Sequence, residues 1–474
     1  MLIYDFDKRG KKSIYEYLYE CIKKDIHKGK FKGGDKLPSR RQMASDNGIA
    51  EITVASAYAQ LVTEGYIESR EKRGYFVSSD IEEIASVFEN EECKKKRPTA
   101  NRGSECAGSD NDGSVINLSD GNLPASTFPF STWSKIARKI LSEECDEVVK
   151  APESRGLLVL REAIAGYLSR SRGFSPDPEH IIIGPGSEYL SSILLHLIGG
   201  SAIVATEDPC YTNLMKLYEN SGHKCRHIPV DENGLITDKL TDSNIKLIHV
   251  SPSHQFPLGC VMSASRRSAL LAWAEKENAW IVEDDYDSEF RFEGRPVPPL
   301  SATDPSRVIY MNTFSRTLSP SIRIAYMVLP DELYEIFLKK HSFHSGSVST
   351  LEQLTLASFI SEGFYERHLN RVRNYYRKRK NRIFEIAEKG PLSAYFACEG
   401  DGSGMTFILR SRSDETEDTF IKKIETGGVL LNSAEEYCYN KTNALKSRYV
   451  VNFGMVSEEC FEKASRIICS ALRN

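Results

Sequence analysis

Six short apolar runs constrain this chain most: Ile181–Ile183, Ala202–Val204, Leu247–Val250, Trp280–Val282, Val308–Met311 and Ala325–Leu329. They alternate with stretches of helical spacing. Apolar runs without polar alternation read as strands buried on both faces, and strands separated by helices read as parallel neighbours joined by crossovers. The pattern predicts an α/β body, a mostly parallel sheet flanked by helices. At 474 residues the chain exceeds one ordinary core, so further domains are expected. Between Ile81 and Gly113 there is an acidic cluster, the basic run Lys94–Arg97 and a Gly/Ser/Asn/Asp-rich tail, with no apolar period after a short helical turn at Ile81–Phe88. Such a stretch cannot bury a core and reads as a flexible linker, its basic run either solvated or touching phosphates. The expected division is a head at 1–79, a linker at 80–114 and a body at 115–474.

In the head, Ile14, Leu18, Cys21, Ile22 and Ile26 recur at helical spacing and Gly29 ends the helix. A second helix opens near Leu37-Pro-Ser-Arg-Arg-Gln42, with Ser39 as N-cap and Gln42 completing a capping box. The third, Ala50–Glu64, carries Val54, Ala57, Tyr58 and Leu61 on one face, and Tyr66–Val77 reads as a hairpin turning at Lys72-Arg-Gly74. Helix, turn, helix and basic hairpin is the winged helix-turn-helix plan, whose later helix enters the major groove. With Gly-Asp-Lys-Leu-Pro-Ser-Arg-Arg41, Thr53-Val54 and Glu64-Gly-Tyr-Ile67 at fixed spacing, the head resembles the GntR family. That resemblance implies operator contacts from Arg40, Arg41, the start of the third helix at Glu51 and Thr53, and the wing at Lys72, Arg73 and Gly74. Where the family often has Ser-Arg before that helix, this chain has Ala50-Glu51. Glutamate accepts hydrogen bonds and repels phosphate, so an operator unlike the usual one is expected. The charge division agrees: residues 1–79 hold 15 Lys/Arg against 11 Asp/Glu, and the rest 47 against 55.

The body carries five motifs. Ile181-Ile-Ile-Gly-Pro-Gly-Ser-Glu188 is strand, glycine turn and helix start, which places free amides where a phosphate can sit. Glu207-Asp-Pro-Cys-Tyr211, Ser251-Pro-Ser-His-Gln-Phe-Pro-Leu-Gly259 and Glu283-Asp-Asp-Tyr-Asp-Ser-Glu-Phe290 accompany it. The fifth is Val308–Pro330, strand, polar turn and strand, containing Ser315-Arg-Thr-Leu318 and Arg323. Together these resemble MocR-type regulators, in which a GntR head is fused to a fold-type I aminotransferase-like body, over nearly the whole chain.

The resemblance implies a pocket for pyridoxal phosphate. Asp284 would pair with the ring nitrogen, Tyr286 would donate to the ring hydroxyl and Tyr211 would stack on the ring. Ser315, Arg323 and the amides near Ser187 and Glu188 would hold the phosphate. One residue departs: the family's cofactor-binding lysine is replaced by Arg316. A lysine amine can be tuned toward the neutral nucleophile that bonds the cofactor aldehyde, whereas a guanidinium stays protonated. Arg316 could contact noncovalent pyridoxal phosphate or fill its place, and both readings stand. The family's substrate-carboxylate arginine also has no direct match, since Val450 holds its place and Arg448 lies two residues upstream. His254 reads as a loop-ordering histidine, and Tyr365–Arg382 as a solvated or dimer-facing helix joining to a small C-terminal lobe.

Eleven cysteines without a Cys-x-x-Cys pair suggest neither a disulfide framework nor a metal site, and no run is long enough to cross a bilayer. A cytoplasmic homodimer that binds operator DNA and a small-molecule effector, without enzymatic turnover, is the leading expectation. A working pyridoxal-phosphate aminotransferase with a DNA-binding head is the alternative, and a constitutive DNA-binding dimer with a scaffold body is the third.

Overall fold

The computed structural model describes all residues except 1, 11, 28, 65, 71–72, 79–114, 121–122, 201, 242–243, 293–296, 401–403, 413–415, 442–444 and 474. The expected linker and Lys72 lie outside the described residues. Two compact units result, Met1–Gly103 and Ser104–Asn474.

In the first unit, helices Ile14–His27, Arg40–Asn47 and Glu51–Thr63 precede the antiparallel strands Ile67–Arg70 and Gly74–Val77. Leu18, Ile22, Leu37, Met43, Val54, Tyr58 and Leu61 bury against one another and against Ile67 and Val77. Burial of each contributes about 1.5–3 kcal/mol. The expected capping box is half formed. Ser39 Oγ accepts from Gln42 N at 3.2 Å, but the Gln42 side chain donates instead to Asp46 Oδ1 at 2.6 Å, one helical turn on. Ala50 makes no side-chain cap, as its methyl dictates. The wing turns at Gly74, whose φ of 105° a side chain would strain.

The second unit is built on an eight-stranded sheet in the spatial order 181–184, 325–328, 308–313, 280–284, 245–250, 203–208, 224–231, 234–235. The five strands from 308–313 through 224–231 run parallel, while 325–328 is antiparallel to both its neighbours. All six predicted runs are strands. The predicted set omits Lys224–Asp231, where polar and apolar residues mix and Ile228 alone is buried, so no apolar run marks it. Strand 308–313 has five of its six residues buried because helices cover both faces, which is why it reads as an unbroken apolar run.

A second, antiparallel sheet of 396–399, 406–411, 448–452 and 432–433 forms the C-terminal lobe with helix Glu458–Arg473. Helix Phe364–Lys389 joins the cores and corrects the solvated reading. Tyr365, Leu369, Val372, Tyr376 and Ile383 are buried on it, and so are Arg379 and Lys380. The Lys380 ammonium lies 5.7 Å from the ring centroids of both Phe292 and Phe384. Abundant Arg and Lys masked an apolar stripe whose aliphatic stems also pack.

Candidate functional site

Parallel strands release their chain at one edge of a sheet, and ligands of such folds sit in the crevice beyond those carboxyl ends. Here strands 203–208, 245–250, 280–284 and 308–313 open onto a cavity of about 310 Å³. Ser187, Glu188, Tyr211, Asp284, Tyr286, Ser315, Arg316 and Arg323 all line it. Eight residues read from four separate motifs therefore converge on one cavity.

One wall is an anion cradle. Helix Ser187–Ile198 begins here, with Gly186 as N-cap at a φ of 117°, so its first amides face the cavity mouth unsatisfied by the helix. A Cβ on Gly186 would come 2.4 Å from Arg323 Nη2, so only glycine lets the guanidinium approach this backbone. Arg323 itself adopts the left-handed conformation (φ 50°), and its Nη2 pairs with Glu188 Oε2 at 3.3 Å.

The opposite wall is acidic and hydroxylic. Asp284 Oδ2 lies 3.3 Å from His249 Nε2, and His249 Nδ1 lies 2.7 Å from the buried Tyr218 hydroxyl. The relay fixes the His249 ring and, through it, the carboxylate. Tyr286 donates to the His254 carbonyl oxygen at 3.2 Å, and the buried His254 ring bonds Asp287 at 2.9 Å. Burial, followed by the Asp287 charge, holds the Tyr286 phenol well above its usual pKa, so it acts as a neutral donor. His254 orders this loop, as the sequence suggested, and Gly404 packs against it so closely that a Cβ would lie 2.1 Å from the ring. The remaining acids of the motif are structural. Glu283 accepts from Leu300 N and Ser301 N, while Asp285 accepts from Tyr310 and pairs with buried Arg172 at 2.7 Å.

The third wall is the turn after strand 308–313. Ser315 N donates to Thr313 Oγ1 at 3.1 Å, and Thr317 is fastened from behind. The His368 ring lies 2.7 Å from the Thr317 carbonyl oxygen, and the Tyr365 hydroxyl donates to Thr317 Oγ1 at 3.0 Å. Helix Phe364–Lys389 thus holds the turn that presents Arg316. The Arg316 guanidinium lies 6.0 Å from the Tyr286 ring centroid, and among the described residues no carboxylate pairs with it. No lysine is among the described residues that line the cavity.

Motif reading missed several lining residues. His249 is the lone polar residue of the apolar run Leu247–Val250, which was the available signal. Glu207 is buried with its carboxyl pushed up to about 8 by desolvation. Phe256 lies within the Ser251–Gly259 motif without having been singled out, and Asp120 and Met455 come from distant segments that no local pattern connects. Arg448, in turn, is not brought to the cavity. It lies on strand 448–452 of the C-terminal lobe, where its Nε donates to Glu399 Oε2 at 2.8 Å.

In the head, Arg40, Arg41 and Arg73 are exposed, and Glu51 heads the third helix with Thr53 half-buried beside it. Arg41 Nε lies 3.5 Å from Glu51 Oε2. The glutamate that departs from the family pattern is thereby partly neutralised.

Residues 14–77 match the bacterial regulatory proteins, gntR family, and residues 113–467 match aminotransferase class I and II. The chain is 37% identical to an uncharacterized HTH-type transcriptional regulator, YdeL, of Bacillus subtilis, covering 88% of each. It is 35% identical to the probable rhizopine catabolism regulatory protein MocR of Rhizobium meliloti, covering 86% of this chain and 84% of that protein. It is 32% identical to the pyridoxine biosynthesis transcriptional regulator PdxR of Corynebacterium glutamicum, covering 90% and 89%. Among solved structures, the multiple substrate aminotransferase of Thermococcus profundus superposes with a TM-score of 0.67 at 23% identity, over 76% of this chain and 92% of that one, a likeness of fold. The chain belongs to the MocR-type group of gntR-family proteins, a helix-turn-helix head joined to a fold-type I aminotransferase-like body.

Proposed function

We propose that this DNA-binding transcriptional regulator uses its aminotransferase-like body to bind pyridoxal phosphate or a related small anion noncovalently, as a sensor without turnover. One observation carries the reading: Arg316, a permanent cation without an ion-pair partner among the described residues, stands in a cavity whose described lining contains no lysine. An unpaired guanidinium in a cavity suits an anionic ligand.

The residue types around the cavity suit the cofactor's phosphate, ring nitrogen, ring hydroxyl and ring face, and lack the amine for covalent attachment. The Ser187 and Glu188 amides, Ser315 and Arg323 would hold its phosphate. Asp284, oriented by His249, would face the ring nitrogen, Tyr286 the ring hydroxyl, and Tyr211 the ring face. The cofactor supplies amino-group chemistry through its aldehyde and electron-withdrawing ring. Without a nucleophilic amine at position 316, this chain's residues are left to bind and orient. We place Arg316 at the family's lysine position, Arg40, Arg41, Glu51, Thr53, Arg73 and Gly74 at the operator, and the working unit as a homodimer. Arg448 is left out of the effector site because Glu399 engages it. For ligand binding to act as a switch, the ligand must prefer one arrangement of the paired heads over another.

The test compares the native chain and Arg316→Lys, each mixed with pyridoxal phosphate, treated with borohydride, dialysed and weighed intact. The proposal expects a covalent adduct on the variant alone, and reversible binding by the native chain in dialysis. An adduct on the native chain, or turnover of amino acids by it, would restore the enzyme reading. Absence of binding by either chain would leave the body a scaffold.

A further inference from the structure

The third helix of the head presents Glu51, Ile52, Ser56, Ala59 and Gln60 to solvent. Each polar side chain on this face already has a partner within the head. Glu51 faces Arg41, Ser56 Oγ donates to the Ile52 carbonyl oxygen at 3.1 Å, and Gln60 donates to Glu64 at 2.7 Å. Ile52 alone is large and apolar at the leading end, and it is 77% exposed, the most exposed large hydrophobic residue among those described in the head. It takes no part in the head's core.

We infer that Ile52 reads a thymine methyl group in the operator. A recognition helix addresses base edges with its N-terminal residues. An isoleucine can neither donate to nor accept from the ring nitrogens, amino groups and carbonyl oxygens that mark the other base edges. The C5 methyl of thymine is the apolar group the major groove displays, and apolar side chains recognise it by contact. Exposed Arg41, paired with Glu51 at the start of this helix, and its exposed neighbour Arg40 supply charge that draws phosphate to this end. Base identity is thus assigned to an apolar contact, in place of the arginine–guanine pair that Glu51 forgoes.

The inference rests on the head being an operator reader, and the experiment separates the two. Duplexes are selected from a random library with the full-length chain, and each thymine of the selected site is then replaced singly by deoxyuridine, which removes only the methyl. The native chain should bind about four-fold more weakly for each methyl that Ile52 covers. Ile52→Ala, a surface change, should bind the thymine and deoxyuridine duplexes equally. If no thymine shows this loss, or if the loss persists in Ile52→Ala, the inference is overturned while operator binding stands. A uniform loss on both duplexes in Ile52→Ala would make Ile52 a protein contact and likewise overturn it. If no sequence is enriched at all, the operator reading and this inference fall together.

Discussion

Replacing Arg316 by glutamine removes the charge and keeps much of the stem. The Arg316 guanidinium is half-buried, makes a weak ring contact at the 6.0 Å limit, and pairs with no described carboxylate. Its loss therefore strands no partner, and the change should appear in ligand binding more than in stability. A hydrogen bond to a charged group contributes about 1.5–3 kcal/mol. Solvent access to the side chain favours the lower part of that range, or about ten- to thirty-fold in affinity for pyridoxal phosphate. Ligand present at about 100 times Kd stabilises a native fold by about 2.7 kcal/mol. A thirty-fold weaker variant at the same concentration retains about 0.9 kcal/mol by the same relation. Equilibrium dialysis gives the affinity, and the ligand-induced rise in melting temperature checks it. Pyridoxal without phosphate, run beside it, reports which end of the ligand Arg316 meets: a loss confined to the phosphate ester places the guanidinium at the phosphate. Binding within two-fold of native would refute the assignment, and tighter binding would mean that the guanidinium occupies the ligand's place.

Other outcomes follow from the same geometry. Glu188→Gln frees Arg323 from an exposed pair that contributes about 0–1 kcal/mol, so phosphate-ester affinity should rise up to about five-fold in the same titration. The Glu207 carboxyl has its folded pKa raised to about 8 by burial, above its ordinary value, so the folded state holds a proton that the unfolded state releases. Stability should therefore fall as pH rises from about 4.5 toward 8, and Glu207→Gln should flatten that part of the profile in thermal melts across pH 5–9. Glu283 and Glu289, also raised by burial to about 7, shape the remainder of the same decline. Arg40→Ala should weaken DNA binding on all sequences and reduce the slope of log affinity against log salt by about one, measured by fluorescence anisotropy.

Sequence alone determined the six predicted strands, the head and part of the pocket, because those features are written in short-range patterns. Buried strands need unbroken apolar runs, and a phosphate-binding turn needs glycine beside a helix start. The six predicted strands were legible for that reason, whereas the eight cavity residues from Ser187 to Arg323 were legible through the resemblance of their motifs to a known family. What the tertiary structure decided depends on partners far apart in the chain. Arg448 was read by its spacing and strand facing, yet Glu399, 49 residues away, holds its guanidinium in the C-terminal lobe. His249 looked like one polar residue in a strand until the fold set it between Asp284 and Tyr218. The helix 364–389 looked solvated because its charged residues outnumber its apolar ones, and folding revealed a buried stripe that fastens the Arg316 turn through His368 and Tyr365. Local pattern fixes which element forms and which face is apolar, and only chain folding brings distant polar groups within hydrogen-bond range.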